Sequence, residues 1–215
     1  MKQPLILCTT LPEEPFKRHA MKKHFDELGL EVQMVDGVQG ISIGLRATNP
    51  YDNDAHGNGL FIHSSQIGCI LSHRIALSVG LASGEDEFII VEDDVKFCPD
   101  FGERWMKMRE HMPSDAQIVQ LGYFFDTDPI DDLEPVNEYF ARCERYPFCT
   151  EATWWTREAA QKAISQLRPI DKPFDVMMIQ RVYPFLMHYI AWPAVASQKS
   201  RSLRESKRVD KDDVS

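Results

Sequence analysis

Three carboxylates stand in a row at Glu92, Asp93 and Asp94, directly after the apolar run Phe88-Ile89-Ile90-Val91. Like charges packed this closely must be solvated, protonated or neutralised by a cation. A short apolar run rich in β-formers is expected to be a central strand covered on both faces. Open α/β sheets take their ligands in the crevice at the carboxyl ends of their strands. An acidic triplet there suits Mg²⁺ or Mn²⁺ that also holds a phosphate. A solvated acidic turn is the plainer reading of the same tripeptide.

Other residues with usable chemistry lie along the whole chain. Asp36-Gly37 reads either as an ordinary turn or as a carboxylate at a strand end that bonds a ribose or base. His73 falls inside an apolar helix, as a satisfied buried histidine or as a donor to a phosphate or ligand hydroxyl. Nothing beside His56 or His63 has metal-ligand spacing, so both read as surface residues. Asp126, Asp128, Asp131, Asp132, Glu134 and Glu138 form an acidic stretch without a basic residue, a solvated loop unless Asp126 or Asp128 lines an acceptor pocket. Trp154 and Trp155 read as core, with a sugar-stacking platform as the alternative. Lys199, Arg201 and Arg204 follow the last strand and are placed to clamp a diphosphate, or else form a solvated basic tail.

The elements that must position these groups follow from periodicity. Pro4 to Cys8 reads as a first strand and Glu13 to Leu28 as a helix, with Phe16, Ala20, His24 or Phe25, and Leu28 on its covered face. Gly29 ends that helix, and Glu31 to Val35 forms a second strand, so the opening is a β-α-β unit and predicts a parallel sheet. Residues 37 to 64 carry little periodicity and read as a functional lid. Gln66 to about Leu81 is a helix capped by Ser64 or Ser65, its buried side made of Ile67, Ile70, Leu71, Ile75 and Leu77 or Leu81. Pro99 to His111 (helix), Gln117 to Leu121 (strand), Thr150 to Thr156 (extended) and Arg157 to Leu167 (helix) continue the rhythm. Pro173 to Tyr183 is a last helix, with Asp175 in its first turn, and Phe185 to Ala191 a last strand. The far end, to Ser215, is polar and charged and predicts disorder.

At 215 residues and 43% hydrophobic content, the chain is long enough for one domain with a sizeable core, assigned to residues 1–198. A net charge of -9 argues against general binding to nucleic acid, which demands a basic face. MKQPLILCTTLPEEP holds only a short apolar run, which fits neither a signal peptide nor a membrane span, so the expectation is a soluble, cytoplasmic protein. Five cysteines without a CxxC pair favour reduced thiols, and Cys69, in an apolar run, is expected to pack as a small hydrophobe.

One combination of motifs goes further. SQIGCILSH, then fourteen residues, then FIIVEDDV, resembles glycosyltransferase family 25, whose pattern is a GCxLSH helix followed by an apolar strand and EDD. The flanks agree: Arg18 and the first strand, Val35-Asp36-Gly37, the strand ending in Leu121-Gly122, Thr150 to Leu167, Pro173-Phe174-Asp175, and Pro193 to Ser202. The resemblance implies an α/β fold of GT-A type, a Rossmann-like, mostly parallel sheet that binds a UDP-sugar through Mn²⁺ or Mg²⁺. Glu92 and Asp94 then take the places of the DxD pair; alternation along a strand would point both at one ion and send Asp93 the other way. His188 is a candidate third ligand by analogy with other enzymes of this fold, or else a packed residue of the last strand. Thr9, Arg18, Asp36, Ser72, His73, Asp93, Lys199 and Arg201 are the candidate donor-binding residues. Asp175 is the candidate general base, with Asp126 and Asp128 in reserve. Gln66 and Cys8-Thr9-Thr10 depart from the family's usual glutamate and asparagine-leucine, and the chain is short for this group.

The expected activity is transfer of a hexose, galactose being the family's commonest, with inversion, to a hydroxyl of a glycan, protein or other acceptor. Two other classes use the same features: a Mg²⁺-dependent phosphoryl-transfer enzyme, and a non-catalytic module that keeps the nucleotide-sugar fold.

Overall fold

The structure is a computed structural model that describes residues 3–40, 50–51, 60–62, 64–125 and 133–198. His56, His63, Asp126, Asp128, Asp131, Asp132, Lys199, Arg201 and Arg204 lie outside the described residues, as does most of the expected lid.

Strand β1 (Leu5–Thr10) is buried along all but its first residue. Helix α1 (Pro15–Glu27) opens on proline, which suits a first turn whose N–H groups have no helical acceptor. Gly29 follows with φ +66°, the left-handed conformation that closes a helix, and β2 (Gln33–Asp36) returns parallel to β1. The β-α-β opening is therefore present, but α1 is rotated from the expected phase. Met21 and Phe25 are its buried residues, while Phe16 is 89% exposed.

Short strands β3 (Pro50–Tyr51) and β4 (Leu60–Phe61) pair antiparallel. Helix α2 (Ser64–Ala82) follows, and its buried side is Gly68, Ile70, Ser72, His73, Ala76, Leu77 and Gly80. Ile75, expected inside, is partly exposed, while the small residues at positions 68, 72, 76 and 80 form a buried stripe that packs against residues 38 to 40 and against Phe88. A Cβ at Gly80 would stand 2.4 Å from the Phe88 ring, so the ring packs directly against the helix backbone there.

Strand β5 (Glu87–Glu92) leads through a turn at Asp93-Asp94 into β6 (Val95–Phe97) and α3 (Phe101–Glu110). Strands β7 (Ile118–Gln120), β8 (Leu133–Pro135), β9 (Phe140–Cys143) and β10 (Ala152–Thr156) come next, then α4 (Arg157–Gln166), capped by the Thr156 side chain. The helix expected after Pro173 is one α turn, α5 (Phe174–Met177), continued by a π turn to Val182 and a 3₁₀ turn to Phe185. The chain then forms β11 (His188–Ala191) and β12 (Ala196–Gln198).

Eight strands make one sheet in the order β2-β1-β5-β10-β7-β11-β9-β8, while β12 pairs with β6 alongside. All but β10 and β9 run in one direction, so the sheet is mixed and mostly parallel. Alternation along β5 divides the core. Ile89 and Val91 pack with Phe25 of α1 and Trp105 of α3; Phe88 and Ile90 pack with Leu77 of α2, Ala160 of α4 and Phe174 of α5. Trp154 and Trp155 enter opposite cores and are each 2% exposed, which makes them packing residues. No disulfide joins any of the five cysteines, and no helix of the described residues is long and apolar enough to cross a membrane. Cys69 is half-buried and stands beside His73, not wholly packed as a hydrophobe.

Candidate active site

The carboxyl ends of β1, β2 and β5 and the first turns of α2 surround a cavity of about 310 Å³, into which Thr9, Lys17, Cys69, His73, Glu92 and Asp93 reach. Its rim is residues 37 to 40, which leave β2 and cross the start of α2 with almost no separation. A Cβ at Gly68 would stand 2.4 Å from the Val38 carbonyl oxygen, and one at Gly40 would stand 1.8 Å from that of Ser64. Ser72 ties the crossing down: its hydroxyl donates to the Gly68 carbonyl and accepts the Val38 N–H, both at 2.8 Å. The glycine and serine of GCILSH thus hold the rim onto the helix. Gly68→Ala should cost about 1–3 kcal/mol in a urea unfolding experiment, since backbone on backbone cannot yield as a flexible side chain would. An unchanged unfolding midpoint would show that the rim is not packed this way.

The histidine of the same motif reaches the acidic strand. His73 is 4% exposed, its Nε2 lies 3.1 Å from Glu92 Oε1, and its ring stacks on Phe174 at 4.0 Å between centroids. Thr150 donates to the same Glu92 oxygen at 2.8 Å. Burial disfavours the imidazolium, but hydrogen bonds to Cys69 and Glu92 outweigh it and raise the His73 pKa to about 9. Burial also pushes the Glu92 carboxyl up, and the bonds from His73 and Thr150 outweigh it and hold the group below its ordinary value. At neutral pH the pair is an imidazolium and a carboxylate.

The strand stops at Glu92, so strict alternation does not carry Asp94 to the same side; Asp93 and Asp94 occupy the turn into β6. Asp93 is the one that lines the cavity with Glu92, and Lys17 Nζ lies 3.7 Å from it. Asp94 Oδ1 is buried with no hydrogen-bond partner. Burial raises its pKa, and the charges of Glu92 and Asp93 raise it further.

A fourth carboxylate was not legible in the sequence. The antiparallel register of β5 with β10 puts Glu151 opposite Glu92, and the Glu92 N–H donates to the Glu151 carbonyl at 3.0 Å. Glu151 is 3% exposed and its Oε2 has no partner. Burial, reinforced by Glu92 and Asp94, raises its pKa to about 7. Gly122 leaves it room, since a Cβ there would stand 3.0 Å from Glu151 Oε1. Buried, unpartnered oxygens on Asp94 and Glu151, on carboxylates whose charges reinforce one another and that of Glu92, have the chemistry to hold a hard divalent cation, although Glu92, Asp94 and Glu151 do not converge within 4.8 Å and would have to close on such an ion. The only hint in the sequence was a second acid at the edge of an extended segment.

The remaining candidates divide. Thr9 borders the cavity and donates to the Val91 carbonyl at 3.2 Å. Arg18 and Asp36 form an ion pair at the end of β2, beside the rim. Asp175 lies in the first turn of α5, next to the Phe174 that stacks on His73, and its carboxylate accepts the Val176 N–H at 2.8 Å. His188 is not brought to the carboxylates. It begins β11, three strands along from β5, level through Ile118 and Trp155 with Phe88 at the far end of the acidic strand. Its Nε2 bonds Gln120 at 2.8 Å, its ring lies against Tyr183 and Tyr146, and burial lowers its pKa to about 3. It is a neutral core histidine. β12 ends with Gln198 opposite Val95, which follows Asp94 directly.

Comparison with known proteins agrees with this geometry. A "Glycosyltransferase 25 family member" of Aedes aegypti is 31% identical over 107 residues, 46% of this chain and 17% of that protein. One of Drosophila melanogaster is 27% identical over 141 residues, 62% of this chain and 22% of that protein. The chain thus spans about a fifth of the length of these curated relatives. A glycosyltransferase involved in the glycosylation of the major capsid of PBCV-1 superposes with a TM-score of 0.52 over 95% of this chain and 97% of its own; at 10% identity this speaks for the fold, the helix-flanked GT-A type sheet. Residues 5–178 match the pattern of glycosyltransferase family 25 (LPS biosynthesis protein), which covers the whole cavity and its carboxylates, and the chain belongs to that family.

Proposed function

We propose that the protein is a metal-dependent glycosyltransferase that moves a hexose, galactose from UDP-galactose in our assignment, with inversion, to a hydroxyl of a glycan, protein or other acceptor. The observation that carries this reading is the set of acids at the end of β5: Glu92 and Asp93 line a cavity of about 310 Å³, and their neighbours Asp94, next in the chain, and Glu151, opposite Glu92, keep buried, unpartnered oxygens. That volume is at the lower end for a ligand pocket and suits the nucleoside part of a donor. Bound by these carboxylates, Mn²⁺ or Mg²⁺ would neutralise the diphosphate as the sugar leaves.

The chain's own groups divide the rest of the work. Thr9, the Arg18–Asp36 pair and the rim held by Ser72 receive the nucleoside, and the His73–Glu92 pair fixes the orientation of the carboxylate. Asp93 with Lys17 borders the same space. Lys199 and Arg201 are assigned to the diphosphate, in keeping with the end of β12 beside the acidic turn. Asp175 is assigned as the base that takes the acceptor proton while the hydroxyl oxygen bonds to the anomeric carbon, with Asp126 and Asp128 as alternatives.

Thermal unfolding with UDP, GDP and CMP, each with and without Mn²⁺, tests the donor site. A ligand that binds only the folded state at about a hundred times its Kd stabilises by about 2.7 kcal/mol. UDP should raise the Tm only when Mn²⁺ is present, and Asp94→Ala should abolish the rise. No response of folded protein to any nucleotide would overturn the reading.

A further inference from the structure

Cys69 and His73 stand at the i, i+4 spacing that places two side chains on one face of a helix, and Glu92 meets them from β5. One donor atom of each lies within 4.8 Å of the other two. Among the described residues this is the cluster of three such side chains whose donor atoms come that close. We propose that Cys69, His73 and Glu92 form a second cation site, for a thiophilic divalent ion of the zinc class, which shares Glu92 with the all-oxygen set of Asp94 and Glu151.

The donor chemistry selects the ion. A thiolate, an imidazole and a carboxylate suit zinc or cobalt, whereas magnesium and manganese prefer oxygen alone. Ligands around a tetrahedral zinc lie roughly 3.3–3.8 Å apart, so the three groups need to close by only about an ångström. His73 is held by Phe174, and the closing falls to Cys69, which is half-buried, and to Glu92. All three side chains border the cavity, which leaves the fourth position open to water or to a ligand. An ion seated here replaces the direct hydrogen bond between His73 and Glu92 and draws Glu92 away from Asp94 and Glu151. On the proposed function, a zinc-class ion therefore competes with the activating one; the site itself does not depend on that function.

Cobalt reports the site directly, because Co²⁺ bound to a thiolate absorbs strongly in the near ultraviolet. Titration of the metal-free full chain with Co²⁺ should give a saturable thiolate band that Zn²⁺ bleaches and equimolar Mn²⁺ does not. The band should be lost in Cys69→Ser and kept in Cys149→Ser, whose cysteine is the other half-buried one. If Cys69→Ser does not fold, Cys69→Ala replaces it. No thiolate band in the wild type, or an undiminished band without Cys69, overturns the proposal. The titration contains no nucleotide, so its failure leaves the UDP result standing, and the reverse holds as well.

Discussion

Glu92→Gln should lower sugar transfer by on the order of 10²–10³-fold, the scale seen when one charged or hydrogen-bonding contact to a reacting group is removed. Glutamine keeps the shape and the acceptor that Thr150 and His73 use, so the side chain stays in place. It removes a charge that, on the proposed function, would help hold a cation beside Asp94 and Glu151. Stability should change in a way that identifies the cause. In the wild type the His73 pKa is raised from 6.5 to about 9. A raised folded-state pKa contributes stability that is fully present below pH 6.5 and lost as the pH rises through 9. In Glu92→Gln part of that slope should vanish, because the imidazolium loses its carboxylate while its bond to Cys69 remains. Initial rates at saturating Mn²⁺ and UDP-sugar, together with Tm from pH 6 to about 9, measure both effects. A variant that retains most of the wild-type rate would remove Glu92 from the reaction.

Glu151→Gln should do the opposite to stability. The folded-state pKa of Glu151 is raised from 4.5 to about 7, so the native state holds a proton that the unfolded chain has given up. Stability therefore falls as the pH rises between those values and then levels off. The shift corresponds to a penalty of about 3 kcal/mol at high pH. Without metal, the glutamine variant should be more stable than the wild type at pH 8 and show no advantage at pH 4. Mn²⁺ should close the gap at pH 8, since a bound cation offsets the repulsion among Glu92, Asp94 and Glu151, and the variant should hold that ion less tightly. Urea unfolding at both pH values, with chelator and with Mn²⁺, checks this. A metal-free variant that is less stable than wild type at pH 8 would mean that the Glu151 carboxylate is satisfied by a partner and awaits no cation.

The sequence carried the acidic strand, the β-α-β opening and the helix of GCILSH, because each rests on a local pattern: an apolar run, a helix stopped by Gly29, a capped apolar periodicity. It misled wherever faces had to be chosen. Phe16 and Ile75 satisfy a hydrophobic period and lie outside, while Gly68 and Ser72 have no hydrophobic signal and lie inside, since close approach of backbones selects for small residues. Strand order was equally hidden. Local pattern does not tell that β10 runs antiparallel between β5 and β7, yet that insertion delivers Glu151 to the site. The same order removes His188, whose place on an apolar strand is compatible with a ligand until its distance along the sheet is known.

The insertion of β10 also orders events during synthesis. β5 can pair with β1 once residue 92 has left the ribosome, but its other edge waits for residues 152 to 156. At ribosomal rates of about 5–20 residues per second, the 93–151 segment takes roughly 3–12 s to emerge. Throughout that interval Phe88-Ile89-Ile90-Val91 is an apolar strand with an open edge, the feature by which nascent chains on one message find one another. The carboxylates that follow it at once, Glu92, Asp93 and Asp94, are then the charge that keeps such edges apart. The triplet thus guards the strand before there is any site for it to serve.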